Sequence, residues 1–160
     1  MREIPSERLN EKIKKVWRIT GLIGTFFLAL VTFGPLIILT IFFDVGPLSF
    51  IIPSCIILFW RIPSFLFFPR VRYARWRYEL LPDEIDIMEG LFFITRTIIP
   101  MVRVQFTDTT QGPIMRAFGL SSVKIVTAGG EKVIPGLTSE RAEYLRDKIA
   151  DLAKIAKEDV

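Results

Sequence analysis

From Ile19 to Phe43 the chain runs 25 residues without a charge, and between Arg18 and Arg61 the one formal charge is Asp44. At about 1.5 Å of rise per residue, the first run exceeds the roughly 30 Å of hydrocarbon in a bilayer. It predicts a membrane-spanning helix. Val45-Gly46-Pro47 is a turn signal, and a second apolar run follows it. That run reaches spanning length only by including Arg61 and continuing to Phe68. Either Arg61 snorkels to the interface and the helix spans, or the helix ends there and leaves an interfacial segment. The preferred reading is a two-helix transmembrane hairpin over residues 19–69, after a basic segment over residues 1–18. A cleaved signal peptide fits poorly, because its apolar region is about 7 to 15 residues and ends in small residues rather than Phe42-Phe43-Asp44. A buried hairpin of a soluble protein would need a larger shell than the roughly 90 residues after Phe68 provide.

Basic residues flank this hairpin and are missing from its turn. Lys12, Lys14, Lys15 and Arg18 precede it, and Arg70, Arg72, Arg75 and Arg77 follow it. The positive-inside rule then predicts a multi-pass protein of the cell membrane with both termini cytoplasmic and Asp44 to Pro47 on the other side. Trp17 and Trp60 fall near the two cytoplasmic interfaces, where amphipathic rings are favoured.

After Pro69 the pattern becomes mixed, which marks a domain over residues 70–160. Arg75, Arg77 and Glu79 alternate with Trp76, Tyr78 and Leu80, the period of a half-buried strand. Leu81-Pro82-Asp83 predicts a turn, Glu84 to Ile87 a second strand, and Leu91 to Ile99 a third. Val102, Val104 and Phe106 alternate with Arg103, Gln105 and Thr107, predicting a fourth strand with one wet face. Gln111-Gly112-Pro113 is a turn, Ile114 to Leu120 a short irregular strand, and Val123 to Thr127 another. The glycine pair in Ala128-Gly129-Gly130-Glu131 suits a hairpin turn leading into Lys132 to Ile134. From Thr138 the period changes: Ala142, Leu145, Ile149, Leu152 and Ala156 predict an amphipathic helix capped by Thr138 or Ser139. Seven strands and one helix make an α+β domain, and from about Tyr73 it reads as self-contained.

Composition narrows the chemistry. The chain has no histidine, which removes the commonest general base and metal ligand. Its one cysteine, Cys55, lies in the second apolar run, where a thiolate is disfavoured. Gly129-Gly130-Glu131-Lys132 lacks the spacing and ending of a P-loop. Asp83, Glu84, Asp86 and Glu89 are the dense carboxylate group, but Glu84 and Asp86 share one strand face and read as a solvated surface rather than a metal or acid–base site. The expectation is a non-enzyme without cofactor or metal. From Arg70 onward there are 14 basic and 13 acidic residues, too balanced for a nucleic-acid surface. Arg70, Arg72, Arg75 and Arg77 are the candidate membrane-surface contact, since basic side chains near anionic headgroups gain about 1 kcal/mol each. Arg103, Gln105, Gln111 and Arg116, with Thr107, form a polar set that either braces the fold, the preferred role, or makes a peptide or subunit contact.

Gly90, Ile99-Pro100, Arg103-Val104-Gln105, Gln111-Gly112-Pro113, Arg116 and Phe118-Gly119-Leu120 resemble the pattern of the bacterial pleckstrin-homology-like (PH-like) family, in its YdbS-type membrane proteins. The resemblance extends to the basic N-terminus, the apolar hairpin and the exit segment Arg72-Tyr73-Ala74-Arg75-Trp76-Arg77-Tyr78. It implies a seven-stranded, strongly bent β-sheet or barrel closed at one end by a C-terminal α-helix. By analogy it also implies a binding platform. The expected function is a membrane-anchored PH-like module presenting a cytoplasmic surface to other membrane or cytoplasmic proteins or to copies of itself, with non-specific contact to anionic headgroups. The alternative is a lipid-binding or lipid-handling component of envelope maintenance. A specific phosphoinositide pocket is disfavoured, because the first strand-to-strand loop, Leu81-Pro82-Asp83-Glu84, is acidic.

Overall fold

The computed structural model describes residues 3–43, 46 and 48–158, so most of the expected turn at Asp44 to Pro47 lies outside the described residues. The chain divides into two compact units, one formed by residues 1–16 with 71–160 and the other by residues 17–70.

The second unit holds most of α1 (Ile13–Phe43) and all of α2 (Leu48–Leu66). Thr25, Thr32 and Thr40 return their hydroxyls to carbonyls four residues back, which satisfies these polar groups within the helix. Many apolar side chains of both helices are exposed, as expected where lipid rather than protein covers them, while each helix keeps a half-buried stripe that includes Thr25, Phe33 and Leu36 on α1 and Phe50 and Ile57 on α2. Of the described helices, α1 alone is long and apolar enough to cross a membrane, and the apolar part of α2 is the shorter Leu48–Ile62. Arg61, near the end of that stretch, donates to Thr25 Oγ1 and to the Gly21 carbonyl. Farther along, Phe50 stacks on Phe33 with ring centroids 6.5 Å apart. Both contacts run between α1 and α2.

The first unit contains two antiparallel sheets. One has the order β1-β2-β3-β4, made of β1 (Glu7–Arg8), β2 (Arg77–Leu80), β3 (Glu84–Gly90) and β4 (Ile94–Pro100). The other has the order β5-β6-β7, made of β5 (Val104–Thr110), β6 (Leu120–Thr127) and β7 (Gly130–Thr138). Helix α3 (Phe68–Arg75) leads into β2, and a 3-10 turn, Met101–Arg103, joins the sheets. Helix α5 (Ser139–Glu158) packs on β5, β6 and that turn, with Ala142, Leu145, Ile149 and Ala153 buried. The buried stripe thus passes through Ala153, with the expected Leu152 and Ala156 half-exposed at its margins.

The described strands number seven, but not the expected seven. Pro113 sits at the first position of a short helix, α4 (Pro113–Ala117), where its missing N–H has no helical acceptor to lose. That helix replaces the strand expected over Ile114 to Leu120. The seventh strand comes instead from the N-terminus: β1 pairs with β2 through Glu7↔Tyr78 and Arg8↔Arg77.

The N-terminal segment is therefore not a separate basic stretch. Asn10 caps the turn into α1 by accepting from the Lys12 N–H at 3.0 Å, and its own N–H donates to the Gly136 carbonyl at 2.9 Å. Leu9, Ile13 and Val16 are buried. Ile13 lies so close to Gly136 that a Cβ there would fall 2.6 Å from its Cγ1. A chain beginning near Tyr73 would lack these contacts.

Candidate interaction groove

Among the described residues, the two sheets each leave a strand unpaired on one side: β4 bonds only to β3, and β5 only to β6. Between these edges lies a cavity of about 550 Å³. Its walls include Thr97 to Pro100 of β4, Val102 to Gln105, and the β6–β7 hairpin from Thr127 to Lys132, with Lys157 of α5 at the margin. Pro100 ends β4 and cannot donate to a ladder, and the 3-10 turn after it redirects the chain between the sheets. Met101 anchors the turn: its side chain is buried and its N–H donates to the Asp83 carbonyl at 2.9 Å.

The groove is apolar with a basic rim. Ile98 and Val102 are 39% and 43% exposed. Lys132 pairs with Glu89 and Glu131 with Lys124, each at 2.5 Å. Among the described residues, Arg103 and Lys157 have no ion-pair partner, which leaves the rim positive.

Of the expected interaction face, Arg103 and Gln105 line this groove. Gln111, at the other end of β5, braces the fold by donating to the Leu120 carbonyl at 2.9 Å and to the Ser121 and Ser139 hydroxyls at 3.2 Å. Arg116 is exposed on α4. The strand alternation behind that expectation breaks at a register shift between Val104 and Phe106. The bulge reverses the two faces. Phe106 is 57% exposed, whereas Thr107 turns inward and donates to the Arg146 carbonyl at 3.2 Å. Among the expected membrane-contact residues, Arg70, Arg72 and Arg75 lie on α3 and Arg77 begins β2. Arg75 donates to the Leu91 carbonyl.

Within the carboxylate group, Asp86 departs from the solvated surface expected, while Asp83 is exposed and Glu84 and Glu89 are half-exposed. Asp86 is 2% exposed, because Arg96 Nε meets both of its oxygens at 3.0 Å while Nη2 holds Oδ2 at 2.5 Å and the Glu3 carbonyl at 2.7 Å. A second ionic cluster ties β1 to α5. Glu7 meets Arg141 at 2.5 Å. Burial pushes the Glu7 carboxyl up, but hydrogen bonds from Arg141 and Tyr78 outweigh it and hold the group below the usual carboxylate range. Burial, reinforced by Glu7, pushes the Tyr78 phenol up to about 12. Sequence reasoning missed this cluster, since its three members are brought together only by β1 joining the sheet. The signal present was the apolar spacing of Leu9, Ile13 and Val16 inside the basic segment.

Comparison with known proteins accords with this architecture. The family model for the bacterial PH domain matches residues 19–153. Transmembrane protein YdbS of Bacillus subtilis (strain 168) is 38% identical over 160 residues, the full length of both chains. Transmembrane protein YdbT of the same organism is 31% identical over 83 residues, which are 49% of this chain and 17% of that protein. No solved structure matches. With α1 long and apolar enough to span a bilayer, two antiparallel sheets carrying a helix, and a relative similar from end to end, this chain is a membrane protein that belongs to the bacterial PH domain family.

Proposed function

We propose that this protein is a membrane-anchored, non-enzymatic PH-like module whose groove between β4 and β5 receives an extended segment of another protein, or of a second copy, at the cytoplasmic surface. The observation that carries the reading is the pair of unpaired strand edges facing one cavity, with exposed Ile98 and Val102 for apolar contact and Arg103 and Lys157 on the rim. Strand edges bind extended peptides through main-chain hydrogen bonds, and neighbouring pockets give specificity. The rim favours a segment with an acidic flank.

The anchor in this reading is a two-pass hairpin. The pairing of β1 with β2 supports an even number of crossings between Arg8 and Arg77. With α1 spanning, α2 returns. The basic residues flanking both ends support a cytoplasmic side for the domain.

The test is a photo-crosslinking residue at Ile98 or Gln105, both exposed in the groove, in the full-length protein in its native membrane. A discrete protein adduct is expected, lost on Arg103→Glu with Lys157→Glu and retained on Arg116→Glu. Adducts with lipid alone, or protein adducts indifferent to these charges, would sink the proposal.

A further inference from the structure

Leu91–Phe92–Phe93, with Ile94 after it, is an uninterrupted apolar run at the tip of the β3–β4 hairpin. Phe92 and Phe93 are 74% and 89% exposed. The tip is rigidly made. Gly90 has φ +143°, and a Cβ there would fall 1.9 Å from the Phe93 carbonyl oxygen, so only glycine permits so tight a reversal. A loop built this closely holds the more exposed ring, Phe93, outward, and an exposed apolar run of this kind marks a contact site.

The register shows where the tip lies within its own unit. Arg8, Arg77, Met88 and Arg96 stand opposite one another across β1 to β4, and at this row β1 departs toward α1 and β2 arrives from α3. The loop lies just beyond the row, at the end of the sheet where the chain leaves for and returns from residues 17–70. Arg75 donates to the Leu91 carbonyl, and Arg72, Trp76, Gly90 and Leu91 share the walls of one recess. From Arg70 to Arg75 is five residues, about 8 Å of helix. Arg75 thus tethers the loop to the C-terminal end of α3. Its neighbours are Arg72, Arg75 and Arg77, and the nearby carboxylate, Glu89, is paired with Lys132.

We propose that Leu91–Phe93 is a bilayer-dipping loop, with Phe92 and Phe93 seated at the headgroup and upper acyl level beside arginines that meet lipid phosphates. Aromatic rings favour this depth, and basic side chains next to them add attraction to anionic lipid. The contact would fix the orientation of the domain on the membrane, and it is independent of what the β4–β5 groove binds.

The test uses the full-length chain with Cys55→Ser, reconstituted in vesicles of mixed zwitterionic and anionic phospholipid. Nitroxide labels are placed singly at Phe93→Cys, Thr95→Cys and Asp83→Cys. Phe93 and Thr95 are exposed on and beside the loop, and Asp83 is in the turn at the opposite end of the hairpin, so no label displaces core packing. Collision with oxygen should exceed collision with a water-soluble nickel chelate at 93, the order should reverse at 83, and 95 should fall between. Nickel access at 93 equal to that at 83 would place the loop in water and overturn the proposal. Protection at 93 from both reagents would show burial against protein, and would overturn it equally.

Discussion

Beginning the chain at Tyr73 removes β1 and the side chains of Leu9, Ile13 and Val16, all of which are buried in the first unit. Full burial of an aliphatic side chain stabilises by about 1.5 to 3 kcal/mol, so the three together contribute roughly 5 to 9 kcal/mol as an upper estimate. A domain of this size has about 5 to 15 kcal/mol in all. The shortened chain should therefore lose cooperative folding, not merely a few degrees of melting temperature. The comparison is with a chain in which residues 3–16 are joined to 71–158 by a flexible Gly/Ser linker. Near-ultraviolet circular dichroism reports the packing of Trp76 and Tyr78, both fully buried, and urea titration reports cooperativity. The linked chain should give a sharp transition and a structured aromatic spectrum, and the Tyr73 chain neither. Equal urea midpoints for the two would refute the place given to the N-terminal segment.

Two further outcomes rest on the same region. Gly136→Ala should destabilise the linked chain by roughly 2 to 5 kcal/mol in urea, since φ +64° disfavours a Cβ and that Cβ would collide with Ile13. Because the Tyr78 phenol sits at about 12 in the fold and about 10 when unfolded, stability is complete below pH 10 and falls by roughly 3 kcal/mol as pH rises through 12, a loss that Tyr78→Phe should abolish in alkaline denaturation curves.

The parts legible in the sequence were those with a repeated local period. The uncharged run from Ile19, the alternation in β2 and β3, the glycine turn at Gly129-Gly130 and the stripe on α5 each announce themselves within a few residues. What escaped depends on distance or on a single irregular residue. Two residues cannot display an alternation, so β1 is visible only through Tyr78 and Arg77, far along the chain. The helix at Pro113 and the bulge at Gln105 each reverse a strand reading over a handful of positions. Asp86 looks solvated until Arg96 and the Glu3 carbonyl are placed over it. The groove was half legible: Arg103 and Gln105 were singled out as polar, but Lys132 and Lys157 reach it from β7 and α5 only once the two sheets meet.

Pairing the first strand with one that follows the apolar helices also sets an order of events during synthesis. Arg8 leaves the ribosome about 70 residues before Arg77, its partner, which at about 5 to 20 residues per second is a wait of roughly 4 to 14 s. During that time the apolar segments meet the insertion machinery while the sheet has no first edge to close on. In the two-pass reading, a chain whose second helix failed to return would carry β1 and β2 on opposite faces of the membrane. Ile13 would then have no seat against Gly136, and the unfinished edge of β2 would stay open to quality-control proteases. Completion of the soluble fold would thereby act as a checkpoint on membrane insertion.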